Sequence, residues 1–215
     1  MAEPFKNLLN ADRVKDIARD FARVWPEFPS KKFIQAASTG LEPLELKDRA
    51  RHIAKALGAS LPQDVGRAME LAIASLSEPL TVTEGYGSSV FRFMPLSTWL
   101  HEVGPRDVET ALRLNRELTK RFTAEFSIRS LITHARARTL RELKVWAKDE
   151  NAHVRRLVSE GTRPRLPWAE RLPELQADPS LALPLLELLK DDESEYVRRS
   201  VANHLNDIAK DHPEV

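Results

Sequence analysis

The chain has 215 residues, of which 42% are hydrophobic and 30% are charged, a composition typical of a folded protein with a sizeable core rather than a disordered chain. The net charge of +1 excludes nucleic-acid binding through overall basicity, so any such partner requires a local basic patch. Because the chain has no cysteine, disulfides, thiolate metal sites and a cysteine nucleophile are also excluded.

Helical periodicity extends along nearly the whole sequence, without a convincing strand pattern. The first predicted helix carries Val14 and Phe21 on its apolar face, has Asp12 as its candidate N-cap and ends before Pro26. A loop is predicted at 77–89, where proline, glycine and serine interrupt the pattern. The other predicted helices lie at 30–39, 45–58, 62–76, 96–103, 105–118, 122–137, 139–149, 151–162, 168–176, 180–190 and 193–210.

One pattern occurs twice near the end of the chain: KDENAHVRRLVSEGTR begins at Lys148, and DDESEYVRRSVANHLN begins at Asp191. A repeat of roughly forty residues built from helix pairs is typical of HEAT-type proteins. Short connections make paired helices antiparallel neighbours, which stack into a solenoid. The predicted fold is therefore all-α, an α-solenoid of HEAT-like repeats with a concave face, and no linker divides residues 1–215 into separate domains.

Polar side chains recur at helical spacing in three of these helices, apart from the apolar positions. The apolar positions, predicted to be core, are Phe122, Ile128, Leu131, Ile132, Val154, Leu157, Val158, Val197, Val201, Leu205 and Ile208. The polar positions are Glu125, Arg129, Arg156, Arg163, Arg199, Asn203 and Asp207. Stacked helices would align the polar positions on the concave face, as a surface of arginines with two carboxylates and an amide.

Each candidate also has a structural interpretation. Glu125 can be a solvated partner of a helix dipole, and Asp207 can pair with Arg199 or Lys210. Trp168, after a proline at a predicted helix start, can be a core residue. The arginines of the repeated VRR can be ladder residues between repeats. The histidines show no metal-ligand spacing, so no metal site is expected.

Several segments together resemble one family. They are WPEF at 25–28, LELKDRA at 44–50, FTAEFSIR at 122–129, VRRLVSEGTRPRLPW at 154–168 and SEYVRRSVANHLNDIAKDHP at 194–213. They resemble the AlkC branch of the HEAT-like-repeat alkylpurine DNA glycosylases, and the resemblance covers essentially the whole chain. Some members carry an additional immunoglobulin-like C-terminal domain, and we expect this chain to be the form without it.

The resemblance implies a monofunctional DNA glycosylase that removes cationic alkylated bases from duplex DNA without rotating the base into a closed pocket. Its substrates would include 3-methyladenine, with 3-methylcytosine as a second candidate. The acidic position of FxxEF is Glu125, the tryptophan of RPRLPW is Trp168, and the aspartate of NxLND is Asp207. Two carboxylates and an indole face suit this chemistry, because they can stabilise an oxocarbenium-like sugar and orient water.

The remaining polar residues would bind the DNA and position it. They are Arg129, Arg156, Arg163, Arg165, Arg199, Asn203 and Lys210. We expect alkylated double-stranded DNA as the partner, a monomer, and neither metal nor cofactor. The N-terminus lacks an apolar signal region and no segment is apolar enough to span a bilayer, so a cytoplasmic protein is expected.

Two non-catalytic alternatives remain open at this point. One is a solenoid that binds a protein along its groove, and the other is a binder of DNA structures. Neither alternative requires Glu125, Asp207 and Trp168 to come together.

Overall fold

The computed structural model describes residues 4–85 and 87–215. Residues 1–3, which belong to the N-terminal segment considered above, and Tyr86 of the predicted loop lie outside the described residues. Every regular element within the described ranges is helical, so the all-α prediction is confirmed. The helices of these ranges, besides short 3-10 turns, are α1 (Ala11–Val24), α2 (Ser30–Ser38), α3 (Leu46–Gly58), α4 (Val65–Ser75), α5 (Met94–Val103), α6 (Val108–Thr119), α7 (Ile128–His134), α8 (Arg136–Trp146), α9 (Ala152–Gly161), α10 (Pro173–Ala177), α11 (Leu183–Leu189) and α12 (Glu195–Ala209).

The chain divides into two compact units, Met1–Phe122 and Thr123–Val215, while a single domain over 1–215 stays a prediction. In the first unit, α3 packs against α5, α1 against α2 and α4, and α4 against α6. The rings of Phe21 and Phe33 flank Phe28 of the WPEF segment, with centroids 5.2 and 5.5 Å away. None of the helices in the described ranges is both long enough and apolar enough to cross a bilayer.

Side-chain caps decide where several helices begin. The Asn10 side chain accepts hydrogen bonds from two backbone N–H groups of the first turn of α1, so the prediction of Asp12 as the N-cap is wrong. Asp64 and Asp107 accept backbone N–H groups in the same way, at 2.8 and 3.2 Å, and start α4 and α6. A capping residue directly precedes the helix it caps, so these caps place the first helical residues at Val65 and Val108. Both helices therefore begin three residues later than predicted.

The predicted helices at 122–137 and 139–149 have different bounds in the structure. Residues 123–127 are not helical and include a turn at 125–127, and Ala135, with φ −140° and ψ 41°, separates α7 from α8. The Thr139 hydroxyl donates to the carbonyl oxygens of Leu131 and Ala135 at 3.1 and 3.0 Å. These side-chain bonds satisfy carbonyl groups that a continuous helix would use, so they favour the break.

The predicted helix at 168–176 is also shorter, and only α10 is helical there. Trp168 has a φ of 66°, in the left-handed region, which a right-handed helix cannot contain. Pro173 then occupies the first turn of α10, where its missing N–H does no harm. Residues before α10 therefore form a loop with Trp168 near its middle.

The two copies of the sequence repeat are built alike. Arg155 donates to the carbonyl oxygens of the residues six and five positions earlier, and Arg198 does the same in the second copy. Arg155 also forms an ion pair with Asp192 of the second copy, with Nε to Oδ2 at 2.6 Å. The first arginine of each VRR therefore fixes the loop before its helix, and Arg155 joins the copies as the ladder interpretation predicts.

In the second unit, α9 packs against α8, α11 and α12, and α7 packs against α8. The predicted core positions of α7 and α9 are buried. On α12, Val197, Val201 and Ile208 are buried, but Leu205 is 45% exposed and its prediction as core is wrong. Leu205 lies eight positions after Val197, and Asp207 lies eight positions after Arg199. Eight positions along an α-helix amount to a rotation of about 80°, which places Leu205 outside the core and Asp207 within it.

Gly161, at the end of α9, lies close to Ile128 at the start of α7. A Cβ on Gly161 would lie 2.6 Å from the Cγ2 of Ile128, a buried and β-branched side chain. The end of α9 can therefore lie this close to the start of α7 because position 161 has no side chain, and any larger residue there would push the two apart.

Candidate functional site

Five charged side chains of the second unit form a continuous series of ion pairs, here called the carboxylate–arginine chain. In order they are Glu125, Arg156, Glu160, Arg163 and Asp207. Arg156 places Nη1 2.9 Å from Glu125 Oε2 and Nη2 3.5 Å from Glu160 Oε1. Arg163 places Nη1 2.7 Å from Glu160 Oε1 and Nε 2.9 Å from Asp207 Oδ2. Both acidic residues singled out from the sequence are thus the ends of one network.

Glu125 lies in the turn before α7 and is largely buried, its side chain being 14% exposed. The Thr123 hydroxyl donates to Glu125 Oε2 at 2.9 Å, on the oxygen that also faces Arg156. Among the residues that the structure describes, none donates to Oε1. Glu125 is therefore more than a solvated partner of the helix dipole, because Thr123 and Arg156 hold its Oε2.

Asp207 lies on α12 and is almost completely buried, at 2% exposure. Arg163 contacts its Oδ2, and Lys210, whose side chain is 61% exposed, approaches its Oδ1 at 3.3 Å. Of the two pairings considered for Asp207, the pairing with Lys210 is present, whereas Arg199 pairs with Glu195 at 2.9 Å. Asp207 thus connects the buried arginine to the exposed lysine.

The network keeps its arginines charged. Burial opposes the charge of Arg156, but Glu125, Tyr196 and Glu160 outweigh it and raise the pKa of Arg156 above its ordinary value. Burial likewise opposes the charge of Arg163, and its bonds to Asp207 and Glu160 raise its pKa. Both guanidinium groups are therefore fixed positive charges in the site.

His204 is a buried neutral neighbour of this network. Its Nδ1 lies 3.0 Å from the carbonyl oxygen of Ser159, and its buried Nε2 has no hydrogen-bond partner among the described residues. Burial lowers the pKa of His204 to about 4, so the ring is uncharged near neutral pH and acts as a packing residue rather than a proton donor.

Arg129 is not available to DNA, which corrects its place in the predicted DNA-binding set. It is 2% exposed, and its guanidinium donates to the carbonyl oxygens of Gly161, Arg163 and Glu170. Burial lowers its pKa to about 10. Arg129 therefore ties together the two ends of the loop that carries Trp168.

Trp168 is 64% exposed, so the alternative that it is a core residue is wrong. Its φ of 66° is uncommon for a bulky residue and persists only where the surrounding structure imposes it. The bonds of Arg129 to both ends of the loop are such a constraint. The indole of Trp168 therefore lies on the surface, and the buried guanidinium of Arg129 holds the loop in the backbone conformation that places it there.

Arg163 is also buried, at 8% exposure, and pairs with Glu160 and Asp207, which corrects its place in the predicted DNA-binding set as well. Of the remaining predicted DNA-binding residues, Arg156 and Arg165 are partly exposed and Lys210 is exposed. Arg165 forms a two-pronged ion pair with Asp211, at 2.7 and 2.5 Å, and this bond holds the pKa of Asp211 at about 2. Arg199 and Asn203 are exposed on α12, on a face that the rotation of the helix separates from buried Asp207. The described ion pair of Arg199 is with Glu195, on the same helix.

Two residues that belong to this region were missed from the sequence. Glu160 lies at helical spacing from both Arg156 and Arg163, and that spacing is a signal that could have found it. Arg171, three residues after Trp168, is exposed and forms no ion pair with any residue that the structure describes. In the same ranges, no cluster of three or more His, Asp or Glu side chains could hold a metal ion.

Comparisons with known proteins point to DNA repair. A family model described as a DNA alkylation repair enzyme matches residues 98–215, which is more than half of the chain. The chain is 39% identical to the Pseudomonas fluorescens alkylpurine DNA glycosylase AlkC, solved bound to DNA containing an abasic site analog, with a TM-score of 0.86 over 99% of this chain and 57% of that one. This match confirms the predicted resemblance and the helical-repeat fold.

A second relative is the uncharacterized protein YhaZ of Bacillus subtilis strain 168. It is 33% identical over 209 residues, which cover 97% of this chain and 56% of YhaZ. The chain thus spans a little over half the length of both relatives. On the family match over residues 98–215, the chain belongs to the DNA alkylation repair enzyme family.

Proposed function

We propose that the chain is a monofunctional DNA glycosylase, which hydrolyses the N-glycosidic bond of cationic alkylated bases in duplex DNA. The observation that carries the proposal is the carboxylate–arginine chain, which connects Glu125 to Asp207 within one unit. Membership of the repair family and the similarity to a DNA-bound alkylpurine glycosylase support it.

The chemistry of the substrate explains why two carboxylates suffice. An N3-alkylated purine carries a positive charge and leaves as a neutral base, so its departure needs little help from an acid. The barrier then lies in the deoxyribose, which becomes oxocarbenium-like. In this proposal Glu125 and Asp207 stabilise the developing positive charge, and Glu125 orients the attacking water through Oε1. Asp207 acts through its charge from a buried position, because it is 2% exposed and held by Arg163 and Lys210.

Trp168 contributes an aromatic face to the same sugar. An exposed indole can approach DNA from outside, and its electron-rich face attracts a cation. We place Trp168 against the deoxyribose and propose that the base stays within the DNA rather than entering a closed pocket. 3-Methyladenine is the proposed substrate, and 3-methylcytosine a second one.

DNA binding in this proposal relies on cations near the surface. Arg156 and Arg163 are engaged with carboxylates, so their main role is to hold Glu125 and Asp207. Arg165, Arg199, Asn203 and Lys210 remain proposed DNA contacts, and a phosphate would exchange with the carboxylate partners of the three cations. Arg171 joins the set as an exposed cation of the Trp168 loop.

The proposal also includes a monomer that acts in the cytoplasm on alkylated double-stranded DNA without a metal or a cofactor. A non-catalytic repeat protein that binds DNA structures would need the arginines alone. The ion pairs of Arg156 with Glu125 and of Arg163 with Asp207 favour a catalytic site instead, because a protein that only binds DNA would not require these carboxylates.

Release of free base tests the proposal. The protein is incubated with methylated duplex DNA in single-turnover conditions, and free 3-methyladenine is quantified by chromatography. We expect release by the wild type and none above background by a Glu125→Gln, Asp207→Asn double variant. Retained DNA binding without base release would favour the non-catalytic alternative.

A further inference from the structure

Glu160 has an unusual position for a carboxylate. It lies near the end of α9 and is only 5% exposed. Its Oε1 accepts a hydrogen bond from Arg163 Nη1 at 2.7 Å and lies 3.5 Å from Arg156 Nη2. Its Oε2 accepts a hydrogen bond from the hydroxyl of Ser200, on α12, at 2.6 Å. One oxygen of Glu160 therefore lies between two guanidinium groups, and the other ties α9 to α12.

Each of these guanidinium groups has a second partner. Arg156 reaches back to Glu125, and Arg163 reaches across to Asp207. Without an anion between them, two neighbouring guanidinium groups in a buried region would repel each other and separate. Glu160 thus supplies the negative charge that lies between the two arginines.

Stability alone is a weak explanation for this buried carboxylate. Taking a carboxylate out of water is expensive, and buried ion pairs often stabilise a fold no more than apolar residues of similar volume. Asp192 provides a comparison within the same unit, because its side chain is 6% exposed and pairs with Arg155 of α9. That pair joins the repeat copies but has no described contact with the carboxylate–arginine chain.

We infer that Glu160 is a positioning residue of the proposed site, which sets the separation and orientation of Glu125 and Asp207 through Arg156 and Arg163. This inference rests on the proposed glycosylase function. Glu160 itself has no proposed contact with the sugar or the base, and its two oxygens accept hydrogen bonds from Arg163 and Ser200.

The test compares Glu160→Gln with Asp192→Asn in the full chain. Each substitution removes one buried negative charge of similar exposure and keeps the side-chain volume. Single-turnover release of 3-methyladenine and the dissociation constant for the same duplex are measured well below the melting temperature of each variant. We expect Glu160→Gln to lower the release rate at least tenfold with less than a threefold change in affinity, and Asp192→Asn to keep the release rate within twofold.

A second comparison tests the route through the arginines. In an Asp207→Asn background, adding Glu160→Gln should lower the rate by less than threefold, because residues that act through one network are not additive. A full tenfold further loss would overturn the proposed route. If Glu160→Gln does not fold, Glu160→Asp replaces it, since the shorter carboxylate cannot reach Ser200 and Arg163 together.

The outcomes separate the two proposals. A wild-type release rate in the folded Glu160 variant overturns the positioning role and leaves the glycosylase proposal intact. Equal rate losses in Glu160→Gln and Asp192→Asn also overturn it, because they indicate a general structural effect. Absence of release by the wild-type protein overturns the glycosylase function and the positioning role together.

Discussion

Substitutions of Trp168 separate its exposed side chain from its strained backbone. With Trp168 64% exposed, about a third of its surface is buried, roughly 90 Å² if a fully buried indole removes about 250 Å² from water. At about 25 cal/mol per Å², truncation to alanine should lower the free energy of unfolding by at most about 2 kcal/mol. A core tryptophan would lose about 3–5 kcal/mol.

The backbone conformation of residue 168 predicts that glycine is tolerated there better than alanine, although glycine has the smaller side chain. Alanine in the left-handed region costs about 1–2 kcal/mol, whereas glycine there costs only its larger loss of chain entropy, about 0.5–1 kcal/mol relative to alanine. Trp168→Gly should therefore be more stable than Trp168→Ala by up to about 1 kcal/mol, which is about 2–4 °C in melting temperature for a chain of this length.

The assay combines thermal unfolding with single-turnover base release. Both Trp168 variants should lose release activity at least tenfold, because both lack the indole. The glycine variant should melt above the alanine variant although it is equally inactive. A higher melting temperature for alanine would refute the argument from the backbone, and a loss above about 3 kcal/mol in Trp168→Ala would refute the argument from exposure.

Four further expectations follow from the site. Glu125→Gln and Asp207→Asn should each lower the single-turnover release rate at least tenfold, about 1.4 kcal/mol of barrier, with little change in DNA affinity; full rates in both would contradict the two-carboxylate proposal. Arg171→Gln should weaken binding to duplex DNA and reduce the slope of log affinity against log salt by about one unit, and an unchanged slope would remove Arg171 from the DNA-binding set. Because burial holds the pKa of His204 at about 4 while the unfolded chain takes up the proton near pH 6.5, the folded state is stabilised fully above about pH 6.5 and loses about 3 kcal/mol as the pH falls to about 4. His204→Asn should flatten that part of the stability profile measured by denaturant unfolding, and an equally steep profile would assign the loss to another group. Defined duplexes should release 3-methyladenine but neither uracil nor 8-oxoguanine, since a neutral lesion leaves as an anion and needs donors against its edge; efficient uracil release that Asp207→Asn abolishes would contradict selectivity by lesion charge.

The existence and order of the helices could be predicted, because apolar residues at helical spacing report which side of a helix faces a core. The bounds could not, since they depend on caps such as Asn10 and on the hydroxyl of Thr139, whose bonds end one helix and allow the next. The misassigned Leu205 has a different cause. A spacing of four residues drifts around the helix, so one stripe written in sequence becomes a buried Asp207 and an exposed Arg199 in space.

For the candidate site, the sequence identified residues but not their surroundings. Glu125, Asp207 and Trp168 were singled out by motif resemblance, which carries information that spacing lacks. The environment of each could not be inferred, because partners come from distant positions. Arg129 is the clearest case: its helical spacing predicted a surface residue, but carbonyl groups 32 to 41 positions later enclose its guanidinium.

Gly161 has a consequence for anyone who would transplant this site to another helical repeat. Its missing side chain lets α9 end against Ile128, which sets how far the turn bearing Glu125 stands from the helix bearing Arg156. A recipient scaffold with alanine at that position could receive every charged residue and still hold Glu125 and Arg156 too far apart to touch. The minimal graft therefore includes an uncharged residue that never meets the substrate, and the length of the ion pair between Glu125 and Arg156 is the first quantity to check in any such design.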